Sequence, residues 1–310
     1  MSKLNGKWFV VVNPAGGAGK VTKVWPLLSK QLTLEAIDFQ AELTREKGHA
    51  IQLVREAINS GFRKIIAVGG DGTLNETVNG IMLSGIANTS EISLALFPVG
   101  TGNDWIKTWS IPRKIELWIQ MLKENKEVIQ DIGLVQYELN GNKKERYFAN
   151  VAGLAYDAFV VEYAEGRPVK RWSKIFFLFM VMRCLFMYRY PTVTVNSKDF
   201  NFSGKVYTIN LGICKYSGGG MQIVPHADPL DGLFALTLAK PISKLGVILN
   251  TWRFYSGTIG KHKKVLQKQV SSLNINDVNG EVKVEVDGEL LGGCPCNFSI
   301  ISGALKIIVP

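Results

Sequence analysis

Val68-Gly69-Gly70-Asp71-Gly72-Thr73-Leu74-Asn75-Glu76 closes one local pattern and opens another. Before it, Lys64-Ile65-Ile66-Ala67-Val68 is a short β-branched apolar run. After it, Leu74, Val78, Ile81 and Met82 recur at helical spacing, so the stretch reads as strand, glycine turn, helix. Glycines at 69, 70 and 72 let the backbone approach a pyrophosphate and aim N–H groups at its charge, and the helix N-terminus adds partial positive potential. Asp71 is the odd residue there. A carboxylate repels phosphate unless a cation sits between them, so Asp71 implies Mg²⁺, bound directly or through water.

Two further segments have the same character. Phe9-Val10-Val11-Val12-Asn13-Pro14-Ala15-Gly16-Gly17-Ala18-Gly19-Lys20 is again a strand ending in a glycine-rich turn. It is not a Walker loop, which would need glycine at Pro14 and Ser or Thr at Val21. The dinucleotide pattern G-x-G-x-x-G fails at Thr22. Leu94-Ala95-Leu96-Phe97-Pro98-Val99-Gly100-Thr101-Gly102-Asn103-Asp104 supplies a third strand and a third polar turn. Ligands of parallel sheets bind at the C-terminal strand ends, so the three turns are expected to meet at one edge of a single sheet.

At 310 residues the chain is long enough for two domains. Its 46% hydrophobic and 20% charged content is that of a globular protein rather than a disordered one. A formal charge of +10 and a pI near 9.3 favour an anionic partner: nucleotide, acidic membrane surface or nucleic acid. No secretory h-region precedes the first strand, which predicts a cytoplasmic protein. Cys184, Cys214, Cys294 and Cys296 form no disulfide framework, and Cys294-Pro295-Cys296 is one residue short of a C-x-x-C pair.

To about residue 130, apolar runs alternate with helical patterns, as in a parallel sheet covered by helices. From residue 131 onward strands follow one another at 147–151, 192–195, 207–213, 233–238, 282–286 and 305–309, with helical patterns near 172–188 and 242–264. The expected architecture is therefore a parallel-sheet α/β domain over residues 1–130, followed by a β-sandwich-like domain over 131–310 whose final strand is free to return to the first. The apolar segment 175–188 is too short to cross a bilayer and contains Arg183. With Arg167, Lys170, Arg171, Lys174 and Arg189 around it, it suits a helix packed on the second domain or in a homodimer interface, or an amphipathic helix facing an anionic membrane.

Asn13-Pro14 with its glycines, Gly69 to Glu76, and Gly100 to Asp104 together resemble the nucleotide-binding motifs of the bacterial diacylglycerol-kinase-like lipid kinases. Thr44, ahead of Gly48-His49-Ala50, falls where that family has another nucleotide contact. Asn150-Val151-Ala152-Gly153-Leu154-Ala155-Tyr156-Asp157 is similar to a family strand-and-turn signature, and Pro225 to Gly232 and Val286-Asp287-Gly288-Glu289 resemble its two acidic motifs. The resemblance implies ATP held by Asn13, Pro14, Ala15, Gly16, Gly17, Thr44, Gly70, Asp71, Gly72, Thr73, Leu74, Asn75, Glu76 and Thr101. It makes Glu289 the proton acceptor for a lipid hydroxyl. Asp71, Asp104, Asp131 and Asp231 join a water and Mg²⁺ network around the phosphates, and Asp228, Asp231 and the Leu233 carbonyl become ligands of a second, structural Mg²⁺. Asp287 is the competing base, two residues from Glu289 and on the same strand face if that segment is extended.

The expected protein is thus an ATP- and Mg²⁺-dependent lipid kinase, cytoplasmic and peripherally membrane-associated, its site in the cleft between two domains and diacylglycerol the favoured acceptor. The GGDGT core alone is less specific, because NAD kinases and phosphofructokinases carry similar turns. An NAD kinase-like enzyme is the nearest alternative, against which the Gly100 to Asp104 turn and the Asp231 motif argue. A basic nucleic-acid-binding protein rests on charge alone, with no recognised module, so nucleic acid is not expected as a partner. A catalytically weak lipid-binding member is opposed by the intact acids.

Overall fold

The structure, a computed structural model, describes residues 4, 6–100, 102–165 and 174–310, with the backbone alone for 174–178. The chain divides into two compact units, residues 1–132 with 301–310, and residues 133–300. The last ten residues thus belong with the first unit, where the sequence-based boundary left them in the second domain.

In the first unit the chain runs β1 (Trp8–Val12), a helical turn α1 (Gly16–Gly19), α2 (Val21–Leu34), β2 (Phe39–Leu43), α3 (His49–Asn59), β3 (Lys64–Gly69), α4 (Asp71–Met82), β4 (Ser93–Pro98), α5 (Trp105–Trp109) and α6 (Ile115–Glu124). β1 pairs in parallel with β2 and β3, and β3 in parallel with β4. Lys306 and Ile307 then add a further parallel strand beside Ser93 and Leu94 of β4. β1 and β4 are buried along their whole length, as sheet strands covered on both faces must be, which is why they read as unbroken apolar runs. Trp118 of α6 donates its indole N–H to the Leu96 carbonyl at 2.8 Å, and Trp105 and Trp109 both donate to Gln130 at 2.9 Å. The large rings therefore bury without stranding their donors.

A long strand, β5 (Lys126–Leu139), leads into β6 (Asn142–Phe148), β7 (Val151–Ala155), α7 (Tyr156–Glu165), α8 (Lys174–Met187), β8 (Thr192–Asn196), β9 (Asn201–Lys205) and β10 (Thr208–Gly212). There follow β11 (Tyr216–Ser217), β12 (Met221–Gln222), β13 (Phe234–Ala239), α9 (Lys244–Asn250), α10 (Trp252–Tyr255), β14 (Val265–Val270), β15 (Ser272–Asp277), β16 (Lys283–Val286) and β17 (Glu289–Val309). The second unit is an antiparallel sandwich. One run of neighbours is β14-β13-β10-β7-β16-β17, and β17 turns from β16, opposite Glu289–Gly293, to β15, opposite 296–299. β15 continues to β8 and β9. Phe148 stacks on Phe234 with ring centroids 5.7 Å apart and meets Phe298 edge-on, in a space kept open by Gly133, where a Cβ would stand 2.3 Å from the Phe148 ring.

Two differences from the sequence reading stand out. β5, β9, β14 and β15 go unread because their exposed alternate positions carry Lys, Glu, Gln and Asn rather than an apolar run. The helical pattern at 242–264 resolves into α9, α10 and a short 3-10 turn, with Gly257 at φ +65° between the last two. Residues 166–173, including Arg167, Lys170 and Arg171, lie outside the described residues. No described helix is long and apolar enough to cross a membrane.

Candidate active site

Backbone hydrogen bonds carry the first unit's ladder past its strand ends and so fix the turns. Asn13 N donates to Val68 O at 3.1 Å, Thr44 N to Val12 O at 2.8 Å, and Val99 N to Gly69 O at 2.8 Å. All four strand exits of β1 to β4 are therefore tied at one C-terminal edge. The turns also touch backbone to backbone. A Cβ on Gly17 (φ +60°) would stand 3.1 Å from Gly100 Cα, and one on Gly100 (φ +123°) 3.2 Å from Gly17 Cα, so both geometry and conformation require glycine at these two positions.

Each side chain at this edge has a definable task. Asn13 accepts from Ala15 N at 3.1 Å and donates to Thr73 Oγ1 at 2.9 Å, joining the first turn to the second. Asp71 opens α4 and accepts from Asp104 N at 3.2 Å, joining the second to the third, and its Oδ2 lies 3.4 Å from where a Gly102 Cβ would be. Arg113 donates to the Gly100 and Gly102 carbonyls at 2.7 and 3.1 Å. Lys107 pairs with Asp104. Asn103 is held at φ +57° and is 1% exposed, yet neither its amide oxygen nor its amide nitrogen has a hydrogen-bond partner in the protein. A buried primary amide without partners is costly, so its oxygen and nitrogen suit a ligand that enters the turn. The glycine cradle, the orphaned Asn103 amide and the α4 N-terminus together fit a bound phosphate chain.

Several residues expected at the nucleotide have structural work instead. Leu74 is in the core, and Thr73 and Asn75 are buried, Asn75 sharing an Nδ2 contact from Asn79. Glu76 turns away from the glycine edge: its two oxygens accept from Gly48 N at 2.8 Å and Ala50 N at 3.2 Å, capping α3. These contacts follow from helical periodicity, since Glu76 lies on the α4 side that faces α3. Asp131 accepts from Gly303 N at 2.7 Å and so helps secure the returning strand. Gly16, Gly17, Gly70 and Gly72 remain at the edge with Pro14 and Ala15; Thr101 lies outside the described residues.

In the second unit β7 runs beside β16, with Ala152 opposite Val286 and Gly153 opposite Glu285, and this register brings the Asn150 to Asp157 signature against the Val286 to Glu289 motif. Val286 pairs with Glu289, and the two residues between them have φ +52° (Asp287) and +84° (Gly288). Two positive φ values at the centre of a two-residue loop define a type I′ hairpin turn, which Asp-Gly favours. Asp287 therefore does not share a strand face with Glu289. Its carboxylate instead accepts Ala149 N at 3.1 Å, Asn150 N at 3.0 Å and Val151 N at 3.2 Å, so its lone pairs are committed to backbone amides. The expected shared strand face of Asp287 and Glu289 is corrected accordingly. Glu289, half-buried, opens β17 on the far side of the turn.

Beneath this hairpin lies an acid that the sequence did not single out. Glu285 is 4% exposed and accepts from Gly288 N at 2.9 Å, bracing the turn from below. A register shift after Val284 aims it there. A Cβ on Gly153 would stand 2.5 Å from Glu285 Oε1 and 3.3 Å from Asp157 Oδ2, so the two carboxyl groups flank one glycine. Removal from water, and then the Asp157 charge, push Glu285 well above the usual carboxylate range. Removal from water pushes Asp157 up to about 6, against hydrogen bonds from Thr208 and Asn210. The local signal that could have found Glu285 is its place as the lone acid in the alternating strand 283–286.

Asp228 accepts from Leu230 N at 3.1 Å, and Asp231 from Leu233 N at 2.9 Å and Gln269 Nε2 at 2.8 Å. Ala227 packs with Val151, Val224 and Ala235, anchoring that turn to the sandwich. Among the described residues no group of three or more His, Cys, Asp or Glu side chains gathers as a metal site. Asp228, Asp231 and the Leu233 carbonyl form an all-oxygen donor set of smaller count, chemically suited to a hard cation.

The chain is similar to several known proteins in sequence and in fold. A Bacillus subtilis (strain 168) protein provisionally named a lipid kinase, YtlR, is 27% identical over 97% of this chain and 98% of its own length. A YegS-like protein of Yersinia pestis (strain Pestoides F), provisionally named a lipid kinase as well, is 28% identical over 91% and 90%. The crystal structure of a diacylglycerol kinase from Bacillus anthracis str. Sterne superposes with a TM-score of 0.71 at 21% identity, covering 100% of this chain and 98% of that one. Yeast NADH kinase complexed with NADH also shares the fold, at a TM-score of 0.53 and 10% identity over 99% and 84%, so the fold alone does not separate the two kinase classes. The sequence families do: the diacylglycerol kinase catalytic domain matches residues 7–135 and the YegS C-terminal NAD kinase beta sandwich-like domain residues 150–309, and by these matches the chain belongs to the diacylglycerol-kinase-like family of lipid kinases.

Proposed function

We propose that this protein transfers the γ-phosphoryl group of Mg·ATP to the hydroxyl of diacylglycerol or a related lipid alcohol. The observation that carries the reading is the glycine edge of the first unit, where three turns are tied together around Asp71 and the partnerless Asn103 amide. In this role the amides at Gly70 to Thr73 and the α4 N-terminus take up phosphate charge, and Asp71 would help hold a magnesium ion that supplies charge compensation for the phosphates. Phosphoryl transfer needs little covalent help from a protein; positioning and charge compensation dominate.

In the second unit Glu289 is the proposed proton acceptor. The lipid oxygen attacks the γ-phosphorus, the bond to the β,γ-bridging oxygen breaks, ADP leaves, and the hydroxyl proton passes to the Glu289 carboxylate. Asp287 and Glu285 hold the hairpin that presents it. Asp228, Asp231 and the Leu233 carbonyl would hold a second Mg²⁺, whose contribution is to stiffen their turn. The same reading makes the protein peripheral to a membrane, because its acceptor lies in one.

Incubation of the purified protein with labelled ATP, Mg²⁺ and a panel of diacylglycerol, phosphatidylglycerol, a sphingoid base, NAD and duplex DNA tests this directly. Label is expected in a lipid phosphate made from diacylglycerol. Label in NADP and in no lipid would transfer the site to the NAD kinase class.

A further inference from the structure

We propose that the outer face of α9 and α10 is a docking surface for an anionic lipid bilayer. Along these two helices Leu245, Ile248, Leu249, Trp252 and Tyr255 recur at i, i+3, i+4, i+7 and i+10, and Thr251 between the helices keeps helical dihedrals, so the residues form one continuous stripe. Exposure is 65% for Leu245, 64% for Leu249 and 56% for Trp252. The opposite side of the same helices is apolar as well: Val247 and Phe254 line a cavity against Tyr207 and Ile259. A surface helix ordinarily spends its outer face on charged residues, and this one does not. At the start of α9, Lys244 reaches the Phe186 carbonyl and lies over its ring, 5.5 Å from the centroid, which extends the stripe onto exposed Phe186 at the end of α8.

Charge decides among occupants. From Gly232 to Asn276 the sequence has no Asp or Glu and carries Lys240, Lys244, Arg253, Lys261, Lys263, Lys264 and Lys268; from Gly166 to Lys198 it again has no acid. Arg253 sits over the Trp252 ring at 4.8 Å, and Lys261 and Lys263 are exposed beyond the stripe. An exposed Trp and Tyr among leucines, with cations and no acid in their own stretch of sequence, matches the layered chemistry of a bilayer surface: acyl chains, then interface, then anionic headgroups. A protein partner of equal size would normally be met by charges of both signs.

This inference rests on the lipid-kinase reading for its biological sense, but its test does not need turnover. The full chain is sedimented with vesicles of phosphatidylglycerol and phosphatidylcholine and with vesicles of phosphatidylcholine alone, and tryptophan emission is followed in parallel. Binding is expected to the anionic vesicles only, weaker at high salt, with a blue shift that Trp252→Phe diminishes. Leu249→Ser/Trp252→Ser should lower partitioning at least about tenfold, with unchanged thermal midpoint and unchanged turnover of a short-chain soluble diacylglycerol. Wild-type sedimentation by the double variant overturns the surface, and so does equal binding to neutral vesicles. Loss of self-association in the double variant, without vesicle binding by the wild type, overturns the bilayer in favour of a second copy. Vesicle binding with no lipid phosphorylated would sink the kinase reading and leave the docking surface standing.

Discussion

The glycine edge of the first unit and the acidic hairpin of the second solve opposite problems. At the edge, side chains are cleared away so that amides can face a ligand: Gly17 and Gly100 meet backbone to backbone, and Asn103, a buried amide without partners, lies beside Gly70 and Gly100. In the hairpin, amides are consumed so that a carboxylate can be held still: three donate to Asp287 and a fourth to Glu285. The contrast teaches that an acid's neighbours in sequence say little about its role. Asp71 and Glu76 lie in one motif, yet one joins the turns and the other caps α3.

The sharpest way to break this contrast is to remove one acid of each kind. Asp71→Ala is expected to lower lipid phosphorylation by about 10³-fold, the scale of losing a main electrostatic element of an active site, while the thermal midpoint stays near wild type. Glu76→Ala should do the reverse, costing about 1–2 kcal/mol of stability for the lost cap, with residual turnover per folded molecule preserved. If both variants lose activity together at unchanged midpoint, Glu76 faces the nucleotide after all.

A comparable pair sits on the hairpin. Glu289→Gln should reduce kcat by roughly 10²-fold, the lower end of lost general-base catalysis, leaving nucleotide affinity and unfolding unchanged. Asp287→Asn weakens three charge-assisted contacts and should destabilise by about 2–3 kcal/mol. Should Asp287→Asn be the one that lowers kcat without a change in unfolding, the base is misassigned.

Smaller effects are expected from pH. Asp157 titrates near 6 in the folded chain against an ordinary value of 3.8, raised chiefly by removal from water. Between those values the folded state holds the proton and the unfolded state releases it, so this group makes stability fall as pH rises from about 4 to 6, by roughly 1.4 kcal/mol per unit at most. Glu285, raised in the same direction, extends the decline upward. Asp157→Asn should flatten the profile in denaturant titrations at pH 4.5 and 7.5; an unaltered slope would show that Asp157 is not its source.

The smallest effect concerns the Asp228–Asp231 turn. Its own amides already close it, so Mg²⁺ there adds only by mass action, about 1–3 kcal/mol at saturating metal. EDTA should lower the wild-type thermal midpoint slightly and leave an Asp228→Ala/Asp231→Ala variant unmoved. An equal response in both would exclude this turn as the metal's site.

What the sequence disclosed follows the same division. Parallel strands buried on both faces are continuous apolar runs, and a phosphate turn needs glycines in a row, so β1, β3, β4 and their turns were legible from local pattern alone. The sandwich strands β14 and β15 were not, because half their residues face water and their pairing depends on partners far along the chain. Asp287 was misplaced for a local reason. Its Asp-Gly pair signals a hairpin, which overrides the two-residue alternation of a strand. Glu285 needed β7 beside β16 before its closeness to Asp157 existed at all.

The returning strand has a consequence for how the molecule is made. Residues 301–310 complete a unit that otherwise ends at residue 132, through pairing at Lys306 and Ile307 and contacts from Thr89 and Asp131 to Ala304 and Gly303. Ribosomal synthesis delivers the chain from its N-terminus, and domains usually fold in that order. Here β4 keeps one edge open while residues 133–300 are translated, so the nascent chain carries an uncapped template for strand addition until residues 301–310 emerge.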